Sequence, residues 1–244
     1  MTREKPYGKR FAVVLFALAL LAAPAWAKDK LDSPTAASGL KEALQIGTGK
    51  AVDLLGQADG YWGNPEVRIP IPEKLSFLKK TLKAIGQQDL VEQFETSMNR
   101  AAEAAAPLAK EVFVDSIKEM SFADALEIVR GKDHEATDYL REHAGPTLAG
   151  RFRPIVDAQM DNVGATQQFN KMMDATANLP MFSKPAFDLG HYVTDKSLDG
   201  MFLMIAREEE RIRKDPLART SDLLKKVFGG EKTKSRWKKL FGGD

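Results

Sequence analysis

The stretch "LVEQFETSMNRAAEAAAPLAKEV", residues 90–112, carries the longest helical pattern in the sequence. Its apolar residues recur every three or four positions, which places them on one face of an α-helix: Leu90, Phe94, Met98, Ala101, Ala105, Leu108 and Val112. The alanine-rich part has small side chains that allow another helix to approach closely. Because proline lacks a backbone N–H, we expect Pro107 to kink or split this helix.

The same spacing recurs through most of the chain, and no clean alternating strand pattern is found. Ser33-Pro34 is a favourable helix start, and glycines end several of the patterns. The predicted helices cover residues 33–54, 75–86, 90–112, 121–131, 133–145, 152–164, 169–176, a helix that carries Leu198, Phe202, Ile205 and Ile212, and a last one from 215 to 228. We predict an all-α fold, a single compact domain of roughly nine helices over residues 28–230, with one long Pro/Gly-rich loop.

That loop lies in "DGYWGNPEVRIPIPEKL", residues 59–75, where the prolines favour an extended chain. Long loops in compact domains are often functional. Tyr61 and Trp62 are rings suited either to binding or to filling a groove between helices, and Asn64 follows them. These three residues are candidates for ligand or partner binding.

Arg68 is the fourth candidate in this loop, because it lies between two apolar residues, Val67 and Ile69. If those neighbours are buried, the guanidinium needs an acidic partner or a bound anion. The candidate partners are Asp199 and Glu208. Two interpretations stay open: an internal arginine–carboxylate pair that fixes the loop to the helices, or a binding site open to a ligand.

The N-terminus has the pattern of a secretory signal peptide. Four basic residues precede an apolar run from 11 to 23, and Ala25-Trp26-Ala27 fits a small-x-small cleavage site. The run is shorter than the ~20 residues that span a bilayer. We expect residues 1–27 to be removed after Ala27 and the protein to be periplasmic or secreted. The remaining 217 residues hold 32 basic and 33 acidic residues, a net charge of −1, so we expect no nucleic-acid partner.

The C-terminal segment, residues 231–244, differs in composition from the rest of the chain. Its basic and aromatic residues could contact an anionic membrane surface, and the candidates are Arg236, Trp237, Lys238, Lys239 and Phe241. The alternative is a solvated, frayed end.

Catalytic and cofactor motifs are missing from the sequence. "IGTGKAV", residues 46–52, lacks the glycine and the Ser or Thr of a phosphate-binding loop, so Gly47 and Gly49 are interpreted as small contact residues in a helix. The three histidines, His134, His143 and His191, have no metal-ligand spacing. There is no cysteine and no G-x-S-x-G. We therefore expect no metal, no cofactor and no catalytic residue, and we interpret the methionines as core rather than as a ligand cavity.

Five segments together resemble a bacterial family of exported proteins with no assigned activity, domain of unknown function 4197. These segments are "GLKEAL", "NPEVRIPIPEKL", "MNRAAEAA", "YVTDKSLDGMFLMIAREEERIRKDP" and "LLKKVFG", and they cover most of residues 38–229. The resemblance implies an exported, mostly helical domain. It supplies no catalytic residues, and the segment after Gly230 lies beyond the family's usual end.

The sequence thus favours a non-enzymatic periplasmic helical protein that binds a protein partner or a small apolar or anionic ligand. One alternative is an envelope-associated structural protein that contacts the membrane surface through residues 231–244. Another is a hydrolase with a carboxylate site, which requires acidic side chains that converge in a cleft.

Overall fold

One long helix at the centre of the molecule organises the fold. The structure, a computed structural model, describes residues 33–121, 124–125, 128–129, 131–176 and 187–229. Within them seven α-helices are found: α1 (Ser33–Leu55), α2 (Ser76–Ala84), α3 (Gln88–Glu119), α4 (Glu135–Asn162), α5 (Ala165–Asp174), α6 (Leu189–Lys214) and α7 (Asp222–Phe228). Helix α3 packs against the five helices α1, α2, α4, α5 and α6, while α6 also packs against α1 and α4. The all-α prediction is confirmed.

Helix α3 continues through Pro107, so the predicted split at this position is wrong. A proline inside a helix costs ~3 kcal/mol or more, and here the packing of α3 offsets that cost. The alanines on both sides of Pro107, from Ala101 to Ala109, are mostly buried. The proline ring also lies against Gly56, where an added Cβ would come within 2.8 Å of the ring Cγ.

Helix α4 is a second long helix where the sequence predicted two. It runs from Glu135 to Asn162 without the predicted break at Gly145, although Pro146 and Pro154 lie inside it. Its apolar residues Leu140, Leu148, Phe152 and Val156 are buried on both sides of the predicted break, so packing against α3 and α6 keeps it continuous. The merging of two predicted helices into α4 accounts for one of the two helices by which roughly nine exceeds the seven found, and the other, predicted for residues 121–131, lies only partly within the described residues.

Some large apolar residues, among them Leu108 of the predicted apolar face of α3, are partly exposed to solvent. Leu54, Ile85 and Leu108 are all about half exposed, and Leu55 is the buried residue at the end of α1. Gly47 does approach Glu208 of α6, whereas Gly49 has no atom within 4 Å of an added Cβ. Gly49 is therefore not a contact residue.

The segment between α1 and α2, residues 56–72, contains no helix and lies between α3 and α6. We call residues 59–72 the proline segment. The predicted leader 1–27 and the C-terminal segment 231–244 lie outside the described residues.

Candidate functional site

The proline segment is held against α3 by a buried carboxylate. The backbone N–H groups of Tyr61 and Trp62 both donate to one oxygen of Glu103, at 3.1 and 3.0 Å. Arg100 donates to the other oxygen of Glu103 at 2.6 Å and to Asp59 at 2.7 Å. These two hydrogen bonds raise the pKa of Arg100. Two successive N–H groups form an anion-binding concavity, and here Glu103 of the chain itself occupies it.

A second contact from α3 has the same pair of hydrogen bonds that a neighbouring strand would form with one residue. The side-chain amide of Asn99 accepts a hydrogen bond from Ile69 N and donates one to Ile69 O, both at 2.8 Å. Asn99 and Ile69 are fully buried, so this side chain satisfies two backbone groups that have no partner in a sheet or helix. The extended chain that the prolines favour is not found throughout this stretch, because Glu66 and Val67 lie in a turn in which Val67 N and Arg68 N both donate to Asn64 O.

Tyr61 fixes the other side of the segment to α6. The ring is fully buried, and its hydroxyl donates to Ser197 O at 2.7 Å. Gly200 of α6 makes room for the ring, since an added Cβ would lie 2.8 Å from Tyr61 Cε1. Burial raises the pKa of Tyr61 far above its ordinary value. Tyr61 is therefore a structural residue rather than a group that meets a ligand.

Arg68 is paired within the chain, but with neither of the predicted partners. Its Nε lies 3.4 Å from Glu95 Oε1, and its guanidinium covers the Trp62 ring at 3.5 Å from the ring centroid. Val67 and Ile69 are buried, which is the condition under which Arg68 was expected to need a partner. Arg68 itself keeps 38% of its side chain exposed.

The two predicted carboxylates lie elsewhere, so their assignment to Arg68 is wrong. Asp199 pairs with Arg141 and Lys196, and Glu208 pairs with Lys50 and Arg211. Asn64 accepts a hydrogen bond from Glu66 N within a turn. The structure therefore brings Trp62 and Arg68 together at the surface, and it uses Tyr61 and Asn64 inside the segment.

A groove of about 850 Å³ runs along the outer face of α3. We call it the α3 groove. Its floor holds a stripe of α3 residues from Asp89 to Ala104, and its walls come from Gly56 and Ala58 on one side and from Val163 and Gln168 on the other. The remaining lining residues are Glu92, Gln93, Thr96, Ser97, Arg100 and Glu103. The sixteen residues from Asp89 to Ala104 are separated end to end by ~22 Å of helix, so the groove is elongated.

Two charged groups of this groove have no ion-pair partner among the described residues, and both are carboxylates. Arg100 is paired with Glu103 and Asp59, whereas Asp89 and Glu92 form no ion pair within that part of the chain. In addition, Gln168 Oε1 is buried and has no hydrogen-bond partner there. A buried acceptor without a partner costs ~1–3 kcal/mol. The groove thus offers acceptors to a ligand that brings donors.

A second buried carboxylate belongs to Glu209 of α6, which the sequence analysis did not single out. Glu209 accepts hydrogen bonds from Ala136 N, Thr137 N and Thr137 Oγ1 at 2.7–3.0 Å, so it caps the start of α4. It also pairs with Arg213 at 2.8 Å, and both side chains are nearly inaccessible. Position 209 lies between Ile205 and Ile212 on the apolar stripe of α6. This placement was the signal in the sequence that Glu209 would be buried.

The remaining candidate features form neither a metal site nor a membrane span within the described ranges. No three acidic or histidine side chains there are placed to hold a metal ion. Met172, Met173 and Met201 are buried core residues. None of the helices described combines the length and the apolar character that crossing a membrane requires.

Neither the search of the curated proteins nor that of the solved structures found a match. The family model described as "Protein of unknown function (DUF4197)" matches residues 30–229, which include every described residue from α1 to α7. The chain belongs to this family.

Proposed function

We propose that the protein is a non-enzymatic binding protein whose ligand occupies the α3 groove. The observation that carries the proposal is the set of acceptors in this groove, the carboxylates of Asp89 and Glu92 and the buried oxygen of Gln168. The volume of about 850 Å³ falls in the range of small-molecule sites, ~300–1,000 Å³. The ligand is an elongated organic molecule with amine donors, and its apolar part lies against Ala58, Ala104 and Val163. We thus propose a cationic ligand, in place of the protein partner or the small apolar or anionic ligand that the sequence suggested.

Calorimetric titration of the protein with a linear polyamine such as spermidine tests the proposal. We expect saturable binding that weakens as salt is added, because the acceptors that contribute most are charged. The double substitution Asp89→Asn and Glu92→Gln should weaken binding about fivefold, the scale of solvent-exposed charge pairs. Glu111→Gln, which removes an exposed carboxylate of α3 outside the groove, serves as the matched control. Absence of binding, or equal binding by both variants, would refute the proposal.

Export belongs to the same proposal, because the pattern of residues 1–27 is that of a secretory leader. The proposed location is the periplasm or the medium after cleavage behind Ala27. Intact-mass measurement of the protein isolated from its host should give a chain that begins at Lys28. A chain that retains residues 1–27 would contradict this part of the proposal.

The hydrolase alternative gains no support from the carboxylates that are most buried. Glu103 and Glu209 both accept backbone N–H groups and both pair with arginine. Their hydrogen bonds are used to join segments of the fold, so neither is a free acid or base.

A further inference from the structure

Helix α2 presents an outward face that combines apolar and basic side chains. This nine-residue helix buries Leu78 and Leu82 against the core. Phe77, Lys80 and Ala84, at positions i, i+3 and i+7, lie on the opposite side and are exposed. Phe77 is 67% accessible, and Ile85, the residue that follows the helix, is 49% accessible. Large apolar side chains at this level of exposure, grouped on one short element, mark a contact surface.

The charge of this face has a single sign. Lys74, Lys79, Lys80 and Lys83 lie within ten residues, and no acidic residue occurs between Glu73 and Asp89. None of these four lysines forms a hydrogen bond or an ion pair with another described residue. By contrast, many charged residues on α4 and α6 are paired across helices, for example Arg141 with Asp199. The four ammonium groups are thus available to an external anionic partner.

We propose that this α2 surface, formed by Lys74, Phe77, Lys79, Lys80, Lys83 and Ile85, binds the surface of an anionic lipid bilayer. Lysines attract such a surface, and their long stems let the ammonium groups reach the phosphates while the helix lies in the interfacial plane. Phe77 and Ile85 enter the boundary between headgroups and acyl chains. A nucleic acid would leave both apolar side chains exposed to water, and no arginine is present for bidentate phosphate contacts. The inference does not depend on the α3 groove.

Vesicle flotation of the full-length mature protein tests this inference. We expect binding to vesicles of phosphatidylglycerol and phosphatidylcholine, and none to vesicles of phosphatidylcholine alone. Each lysine contributes about a fivefold factor in affinity near an anionic surface. The triple variant Phe77→Ser, Lys80→Glu, Lys83→Glu should therefore bind roughly a thousandfold more weakly, because reversing two lysines changes the charge by four units and the apolar contact is also removed.

The control replaces another exposed large apolar residue and two other exposed lysines: Leu217→Ser, Lys110→Glu and Lys132→Glu. Its binding should differ from that of the unchanged protein only through the altered net charge. Circular dichroism of each variant shows that the helices are intact, and a third variant, Phe77→Ser alone, keeps the test valid if the triple variant is unstable. Equal binding by the α2 variants and the unchanged protein overturns the proposal. So does equal loss in the control, or binding that is indifferent to phosphatidylglycerol.

Discussion

Gly200 is the residue at which α6 and the proline segment approach most closely around Tyr61. An alanine Cβ there would lie 2.8 Å from Tyr61 Cε1 and 3.2 Å from Val67 Cβ. Tyr61 cannot move aside, because its hydroxyl bonds to Ser197 O and its backbone bonds to Glu103. We expect Gly200→Ala to lower the free energy of unfolding by ~1–3 kcal/mol, the cost of overpacking. Urea denaturation followed by circular dichroism measures this.

Gly49 provides the control for the same substitution. It lies inside α1, and a Cβ would meet no atom within 4 Å. Gly49→Ala should therefore raise the free energy of unfolding by ~0.5–1 kcal/mol, because alanine is the better helix former. If both variants change stability in the same direction, crowding at Tyr61 is not what requires glycine at position 200.

Asn99 connects two elements, because its side chain on α3 forms hydrogen bonds to Ile69 of the proline segment. Asn99→Ala would leave Ile69 N and Ile69 O buried without partners, each at a cost of ~1–3 kcal/mol. We expect a loss of ~2–4 kcal/mol in the free energy of unfolding. Hydrogen exchange should increase first in residues 59–72, because local opening of this segment relieves the unsatisfied groups.

Asn64→Ala is the comparison for Asn99, because Asn64 also bonds to the segment but lies in a local, partly exposed turn. Its effect should stay within ~0.5 kcal/mol, as for most surface substitutions. Exchange that rises uniformly over all helices in Asn99→Ala would show that the proline segment does not open as a local unit.

Glu209 holds the start of α4 against α6, and its neighbour Glu208 allows a direct comparison. Glu209→Ala removes the acceptor of Ala136 N and Thr137 N and leaves Arg213 buried without its carboxylate. Breaking a buried pair costs ~3–5 kcal/mol. Glu208→Ala removes only partly exposed pairs to Lys50 and Arg211, and we expect less than ~1 kcal/mol. Thermal unfolding of the two variants should therefore differ widely, and similar melting temperatures would contradict the structural role of Glu209.

Helical spacing was sufficient to predict the fold class of the whole molecule, because core residues such as Phe94, Met98 and Ala101 depend only on local periodicity. Helix lengths were less predictable. The continuity of α3 through Pro107 depends on tertiary packing, which is absent from a local pattern. The partner of Arg68 could not be derived either, because Glu95 is one of many carboxylates in the chain.

One signal of the site was nevertheless present in the sequence. Glu95, Asn99 and Glu103 recur every four residues beside an alanine-rich face, which defines a polar stripe on one side of α3. Such a stripe normally faces solvent, but here Asn99 and Glu103 form hydrogen bonds with the backbone of the proline segment. The α3 groove lies next to this stripe and was not predicted, since its walls come from elements far apart in sequence.

Acid should destabilise the whole molecule through ion pairs that connect its elements. The pKa of Glu66 is lowered by its hydrogen bonds to Arg207 of α6, and that of Asp133 by Lys214. The pKa of Asp188 is lowered by the backbone N–H of His191 and then by Arg153 of α4. A carboxyl group whose pKa is lower in the folded state binds protons more readily when the chain is unfolded. Its contribution is therefore complete above the ordinary carboxyl pKa and is lost as the pH falls through the lower, folded value.

We therefore expect a melting temperature that is nearly constant from pH 7 to about pH 5 and that decreases below about pH 4.5. The variant Glu66→Gln removes one of these groups, so it should melt earlier at pH 7 and lose less on acidification than the unchanged protein. Glu111→Gln, at an exposed position without an ion pair among the described residues, should reproduce the unchanged curve. Scanning calorimetry over this pH series measures all three proteins. A decrease that already begins near pH 6, well above the range in which carboxyl groups ordinarily titrate, would contradict this assignment to carboxylates.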